Sequence, residues 1–379
     1  MKLRAALVLL SAVSFLAIFG CGGGGGNGGS TLSSVDTDPD GPITFTTTGA
    51  SFAPVLSVKE GGVVSWTWSD GTTSDSPTPV KDFGSAATRT HTLVVTPWSA
   101  LSGINVGYDA SDDGSSDIRQ IPQQDVSEVR GLAVVAPFLE LFCASYSKIP
   151  SIDFSNFINL RTVEIFNGSL TSINLANTPA LVRLNVEGNP LQALDLSGST
   201  NLEDLRAAVN QYPTITWGST GARMWHICTR DNPQISNPRL YNNLTQWPVL
   251  RQLWIWNDNQ EGELKTASPL IMSVRAYGNR YSAADFTGGF VDGTGGELVI
   301  NDNELTSLTL NGCTGLTRVF AQNNRLTTAA VDSVLATLDS LGAGGGTLDL
   351  TGNSPPSDTG RSHVFNLQQK GWNVLVDGR

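Results

Sequence analysis

The sequence predicts a mainly β chain with short helices: a parallel-sheet solenoid with about 21 residues per coil, preceded by a small β-sandwich. Three observations lead there. An apolar pattern returns along most of the chain at a nearly constant interval. Glycine is abundant, at 40 of 379 residues, yet 9 Trp and 14 Phe accompany it, so regular tight turns explain the glycine better than disorder does. Charged residues are 15% against 40% hydrophobic, which is enough apolar material for a packed core.

The repeat is clearest from residue 139 to 326. Leu181 opens a segment carrying Leu184, Val186, Asn189, Leu191, Leu194 and Leu196 at offsets 3, 5, 8, 10, 13 and 15. The segment from Leu160 places Val163, Ile165, Leu170, Ile173 and Leu175 at the same offsets. The one from Leu202 places Leu205, Ala207, Asn210, Tyr212, Ile215 and Trp217. Segments from Gly295 and Leu316 keep the pattern with Asn303 and Asn324, and looser copies start at Leu139, Met224, Leu250, Ile271 and Gly345. The first four starts are 21 residues apart, and later spacings run from 21 to 29.

Each offset has a physical reason. Offsets 3 and 5 alternate, so they point inward from one short strand. Offsets 0, 10, 13 and 15 fill the rest of the coil. Asn at offset 8 can pair backbone groups where the chain turns, which would otherwise be buried unpaired. One coil cannot bury its own apolar face, but stacked coils can. A period near 21 leaves little room for a helix on the convex side, where short turns or 3₁₀ pieces are expected.

The pattern L-x-x-L-x-L-x-x-N-x-L resembles the leucine-rich-repeat signature, in the short form similar to that of bacterial internalins, over roughly residues 100–379. That resemblance implies a non-enzymatic cell-surface protein that binds a partner on its concave face. Leu101, Ile104 and Val106 fit the offsets, so 99–138 is expected to be the N-terminal cap of the solenoid. Residues 327–379 read as a last repeat and cap: a helix over 328–341, a strand over 347–353, a helix over 359–370 and a closing Gly371–Val376 segment. This ending resembles the terminus of many bacterial surface leucine-rich-repeat proteins.

Ahead of the repeats, residues 43–98 read as short strands with turn punctuation, at 43–47, 54–58, 63–68 and 88–96. Val64-Ser-Trp66-Thr-Trp68-Ser-Asp70-Gly71 resembles the aromatic turn of PKD-like β-sandwiches, with Ser69 where that family has Gly. The resemblance implies a spacer module.

The first 20 residues read as an export signal. Lys2 and Arg4 precede an apolar run, Ala5 to Phe19, that is short for a transmembrane helix. Gly20-Cys21 resembles a bacterial lipobox, with Phe19 where that family has a small residue. The resemblance implies cleavage before Cys21, its lipidation, and a membrane anchor at the cell envelope, facing outward. Cleavage within the glycine run, giving a secreted form, and an uncleaved anchor stay open. Residues 21–42 are a Gly-rich tether.

The formal charge is −11, and −13 once Lys2 and Arg4 are removed, so a nucleic-acid partner is not expected. Apart from Cys21, the odd set Cys143, Cys228 and Cys313 argues against a disulfide framework. Cys143 and Cys228 fall at one offset four strands apart, roughly 19 Å, too far to bridge. Cys313 reads as a buried small hydrophobe. No cofactor is expected. Asp36, Asp38 and Asp40 look like the start of a calcium loop, but Thr47 stands where its closing Glu belongs, and an acidic linker fits better. Asp109, Asp112, Asp113 and Asp117 read as a surface loop, with a calcium site as the alternative. His226 and Cys228 share a strand's exposed face about 6.6 Å apart, too far for a nucleophile and its base.

The informative feature is the concave face, at offsets 2, 4 and 6. It collects Arg230, Trp254, Trp256, Arg275, Tyr277 and Phe320, together with Phe166, Arg183, Arg206, His226 and Arg318. Arg and aromatics are the composition of interaction hot spots. The expectation is a binding surface for a protein or glycan centred on Trp254, Trp256, Arg275 and Tyr277, with Arg230 and Phe320 at its margins. Two alternatives stand beside it: a structural envelope spacer without a specific ligand, and burial of the tryptophans beneath the long insertions of neighbouring coils.

Overall fold

The computed structural model describes residues 41–107 and 124–378, apart from Thr220, Pro238, Asn243, Thr245, Ala267, Thr294 and Ala343. The export signal, Cys21, Asp36, Asp38, Asp40 and the acidic run from Asp109 to Asp117 lie outside the described residues.

Alternation at offsets 3 and 5 gives each coil one short strand, and those strands stack in register. Leu184 of the Arg183–Asn185 strand sits beside Val163 on one side and Leu205 on the other. The run Ile227, Leu253, Val274, Leu298, Val319 and Leu348 continues the row. The result is a leucine-rich-repeat solenoid. Its sheet has thirteen strands, of which one, Val55–Val58, is antiparallel and the other twelve are parallel. Ten coils are legible as repeats; Leu101–Asn105 and Trp372–Leu375, expected as caps, extend the run of parallel strands at its two ends, with Val55–Val58 beyond the first. Leu181, Leu184, Val186, Leu191 and Leu196 are fully buried, as their offsets require.

The opposite flank differs from expectation. It carries short parallel strands centred on offset 13: Ser151–Asp153 with Ser172–Asn174, Leu194–Asp195 with Ile215–Thr216, and Glu261–Lys265 with Arg280–Asp285 and Ser307–Thr309. A polar–apolar–polar triplet such as Ser151-Ile152-Asp153 is itself a short strand pattern, and stacking aligns successive triplets.

Two further ladders hold the coils in register. Asn189 Nδ2 donates to the carbonyls of Ile165 and Val186, and its Oδ1 accepts from the Leu170 N–H. Asn210, Asn279, Asn303 and Asn324 repeat the arrangement. At offset 7 every coil from 139 to 345 turns through a left-handed residue, such as Asn167, Gly278 and Asn323. At Gly278 a Cβ would meet the Asn257 side chain at 2.2 Å. Val209, at φ 54°, is the β-branched exception.

The 224–249 insertion turns inward. Tyr241, Leu244 and Trp247 are fully buried, with Trp247 edge-on to Trp217 at 4.9 Å between ring centroids. Two helices complete the C-terminal end: Thr328–Ser340, capped by Thr327, and Asp358–Gln369, capped by Ser357.

Before the solenoid, an antiparallel sheet runs Thr73–Ser74, Val63–Thr67, Arg89–Thr96, Ile43–Thr47, Val126–Arg130. Its core stacks Trp66 on Trp68 at 5.3 Å, beside Phe45 and Phe52. The two folding units interleave: Val126–Arg130 follows the first solenoid strand in sequence yet joins the antiparallel sheet, while Val55–Val58 pairs with the solenoid.

Candidate ligand-binding face

Residues at offsets 2, 4 and 6 leave the concave sheet on the side opposite the core. Those from adjacent coils therefore stand side by side, about 4.8 Å apart. Two rows of contacts result.

The first row lies at offset 6. Arg230 sits over the Trp256 ring, 5.1 Å from its centroid, and Tyr277 stacks on Trp256 from the next coil at 5.2 Å and 11°. Arg230 is held by Asp231 at 2.9 Å and by Glu187. Glu187 belongs to a coil two steps away; the small side chain of Ala208 between them lets the pair meet.

The second row lies at offsets 2 and 4. Arg275 sits 5.4 Å over the Trp254 ring and donates to Glu297 Oε2 from Nη2 at 3.0 Å. Arg318 approaches the other Glu297 oxygen at 3.9 Å. On the opposite side of Trp254 the His226 ring packs at 5.1 Å, close to perpendicular. His226 Nδ1 lies 2.7 Å from Asp204 Oδ1, and Arg206 and Arg183 reach Oδ2 at 3.3 and 3.5 Å. Burial alone would raise the Asp204 carboxyl. The His226 hydrogen bond and the Arg206 and Arg183 charges outweigh it and hold the group below the usual carboxylate range, so it is ionised and accepts from His226.

Trp254, Trp256, Arg230, Arg275 and Tyr277 are all half-buried and contact one another, while Tyr241, Leu244 and Trp247 of the 224–249 insertion pack in the core. Trp256 and Tyr277, and Trp254 and Arg275, are thus the neighbours that shared offsets predicted. Phe320 is half-buried but stands two strands from Arg275, outside the aromatic row.

His226 and Cys228 depart from expectation. Both are 3% exposed, and Trp225 and Trp254 pack against His226. His226 pairs with Asp204, not with Cys228, whose thiol is pushed up to about 12 by burial. Phe166 is likewise buried, edge-on to Tyr146. Cys143 is fully buried, and Cys313 is buried with its thiol donating to the Phe286 carbonyl. The acids that organise the face, Glu187, Asp204 and Glu297, were missed in the sequence, although all three fall at offsets 2 or 6.

Among the described residues, no cluster of His, Cys, Asp and Glu is placed to hold a metal ion, and no helix is long and apolar enough to cross a membrane.

No family model and no curated protein matches this chain. Solved structures do. The functional domain of InlJ from Listeria monocytogenes aligns with 78% of this chain at 16% identity and a TM-score of 0.47. An internalin from the same organism, InlF, aligns with 80% at 16% identity and a TM-score of 0.42. YopM from Yersinia enterocolitica aligns with 50% at 15% identity and a TM-score of 0.32. This chain spans 57% of the InlJ chain, 91% of the InlF chain and 48% of the YopM chain.

Proposed function

We propose that this chain is a non-enzymatic adhesion or capture protein of the bacterial cell surface. It binds a macromolecular ligand, a protein or a glycan, on the concave face at Trp254, Trp256, Arg275 and Tyr277, with Arg230 and Phe320 at the margins. One observation carries the reading: two tryptophans, a tyrosine and two arginines form two adjoining half-exposed contact rows on the side of the sheet away from the core. Aromatic and arginine anchors of this kind lose about 2 kcal/mol or more of binding energy when truncated. Neighbours already hold these side chains, so binding would cost little further ordering.

In this reading Cys21 carries lipid, residues 21–42 are the tether, and the PKD-like unit sets the solenoid away from the membrane. Nothing in the row needs a catalytic group: Cys228, protonated at neutral pH and buried, is not a nucleophile.

A screen of the chain against glycan and protein arrays, run beside Trp256→Ala, tests the reading. Hits that fade with Trp256→Ala support it. Hits that bind both proteins equally place the ligand elsewhere, and a chain that binds nothing on either array acts as a spacer.

A further inference from the structure

The two rows of the concave face differ in charge balance. In the first row Arg230 meets two carboxylates, Glu187 and Asp231. In the second a single carboxylate, Glu297, serves two guanidinium groups, Arg275 and Arg318. Glu297 is 15% exposed at its side chain, whereas Arg275 and Arg318 are 40% and 55% exposed. Arg275 spends Nε and Nη2 on one Glu297 oxygen. Arg318 has only the 3.9 Å pair with Glu297 among the described residues. A guanidinium carries five N–H donors, so most of these donors face solvent. In a chain of net charge −11, Arg275, Arg318 and Glu297 together carry one net positive charge, while Asp349, on the next strand beside Phe320, accepts from Thr351.

The ring faces carry a second constraint. Trp256 has Arg230 on one side and Tyr277 on the other, because their strands flank its own. Trp254 has Arg275 over its ring from one neighbouring strand and His226 close to perpendicular from the other. A sugar ring stacks on an open aromatic face, and both faces of Trp256 are taken. Ring edges and the outer side of Tyr277 are what a ligand meets, and these suit apolar side chains packing edge-on.

Resting on the reading of this face as a binding surface, we infer that the ligand is a polypeptide segment. It places an Asp or Glu carboxylate on Arg275 and Arg318, and an aromatic or aliphatic side chain against Trp256 and Tyr277. Carboxylate and guanidinium match in planar, two-pronged geometry. Arg318 and Tyr277 lie on strands two apart, about 10 Å, and four residues apart along the strand direction, about 13 Å, so about 16 Å separates them. An extended peptide covers that in about five residues, so the acid sits about five positions from the apolar anchor. Glu297 competes with the ligand for the two arginines, and its removal tightens binding.

The probes are an array of twelve-residue peptides with a central Trp or Phe and Asp, Glu, Lys or Ser placed one to five positions away, plus oligogalacturonate as an acidic glycan. Expected are binding to acid-bearing peptides that is lost with Trp256→Ala, falls at least tenfold with Arg318→Gln or Arg275→Gln, and rises with Glu297→Gln. Arg318 is exposed, so its replacement leaves the fold intact. If Trp256-dependent peptides bind equally well with Ser or Lys in place of the acid, the inference fails and the face remains a binding surface. If oligogalacturonate binds in a Trp256-dependent way and the peptides do not, the ligand is a glycan and the inference fails. If no probe depends on Trp256, the inference fails together with the reading of the face.

Discussion

Asn279→Ala removes one rung of the interior ladder and leaves the concave face untouched. Asn279 is 6% exposed. Its Oδ1 accepts from the N–H groups of Asp258 at 3.1 Å and Gln260 at 3.0 Å, and its Nδ2 donates to the carbonyls of Ile255 at 2.8 Å and Ala276 at 3.1 Å. In the variant, the Ala276 carbonyl keeps Asn303 as a donor. The two N–H groups and the Ile255 carbonyl are left without a partner among the described residues. Each orphaned buried group costs about 1–3 kcal/mol, so three cost at least about 3 kcal/mol. Against a total stability of about 5–15 kcal/mol that is a large loss. Urea denaturation followed by tryptophan fluorescence reads it, with Gln192→Ala, an exposed side chain on the turn, as a control expected to change stability by less than about 0.5 kcal/mol. A loss for Asn279→Ala below about 1 kcal/mol would refute the claim that this side chain satisfies the turn.

Asp258 replaces Asn in the same ladder, and burial pushes its carboxyl far above the usual range despite hydrogen bonds from the Asn232 N–H and Thr229. A carboxyl raised on folding favours the fold below its unfolded pKa of about 3.9, and that contribution is lost as pH rises through the folded value. Asp258→Asn is therefore more stable than wild type at pH 7–8, and the gap narrows toward pH 4; an unchanging gap in urea midpoints across that range would contradict this. Val209, left-handed and 45% exposed, pays a Cβ penalty, so Val209→Asn gains about 1 kcal/mol in the same assay. A fatty-acid analogue supplied to cells labels the wild type and not Cys21→Ser; equal labelling of both removes the lipid anchor.

Much of this was legible because solvent exclusion repeats. Leu160, Leu181 and Leu202 share an environment, so they share a residue type, and the register followed from that alone. The contact of Trp256 with Tyr277 followed because equal offsets on adjacent strands are neighbours. What stayed hidden depends on side-chain volume. His226 occupies an outward offset, yet Trp225 and Trp254 are large enough to bury it. Glu187 reaches Arg230 across a whole coil only because Ala208 is small, and nearest-neighbour reasoning does not find that pair. Glu297 was findable: offset 2 beside offset 4 of the preceding coil is a diagonal contact, but selecting Arg and aromatics alone passed over their counter-ions. The strands at offset 13 were hidden by their length, two to six residues, too short to stand out from turns.

On the proposed reading, the ligand covers the two concave rows. Hydroxyl-radical footprinting with a partner recovered from the array tests it most directly, reading oxidation at each ring. The account predicts that oxidation of Trp254, Trp256 and Tyr277 falls when the partner is bound, while Phe365, 60% exposed on the last helix, is oxidised as before. Protection of Phe365 with no change at the three rings would contradict it.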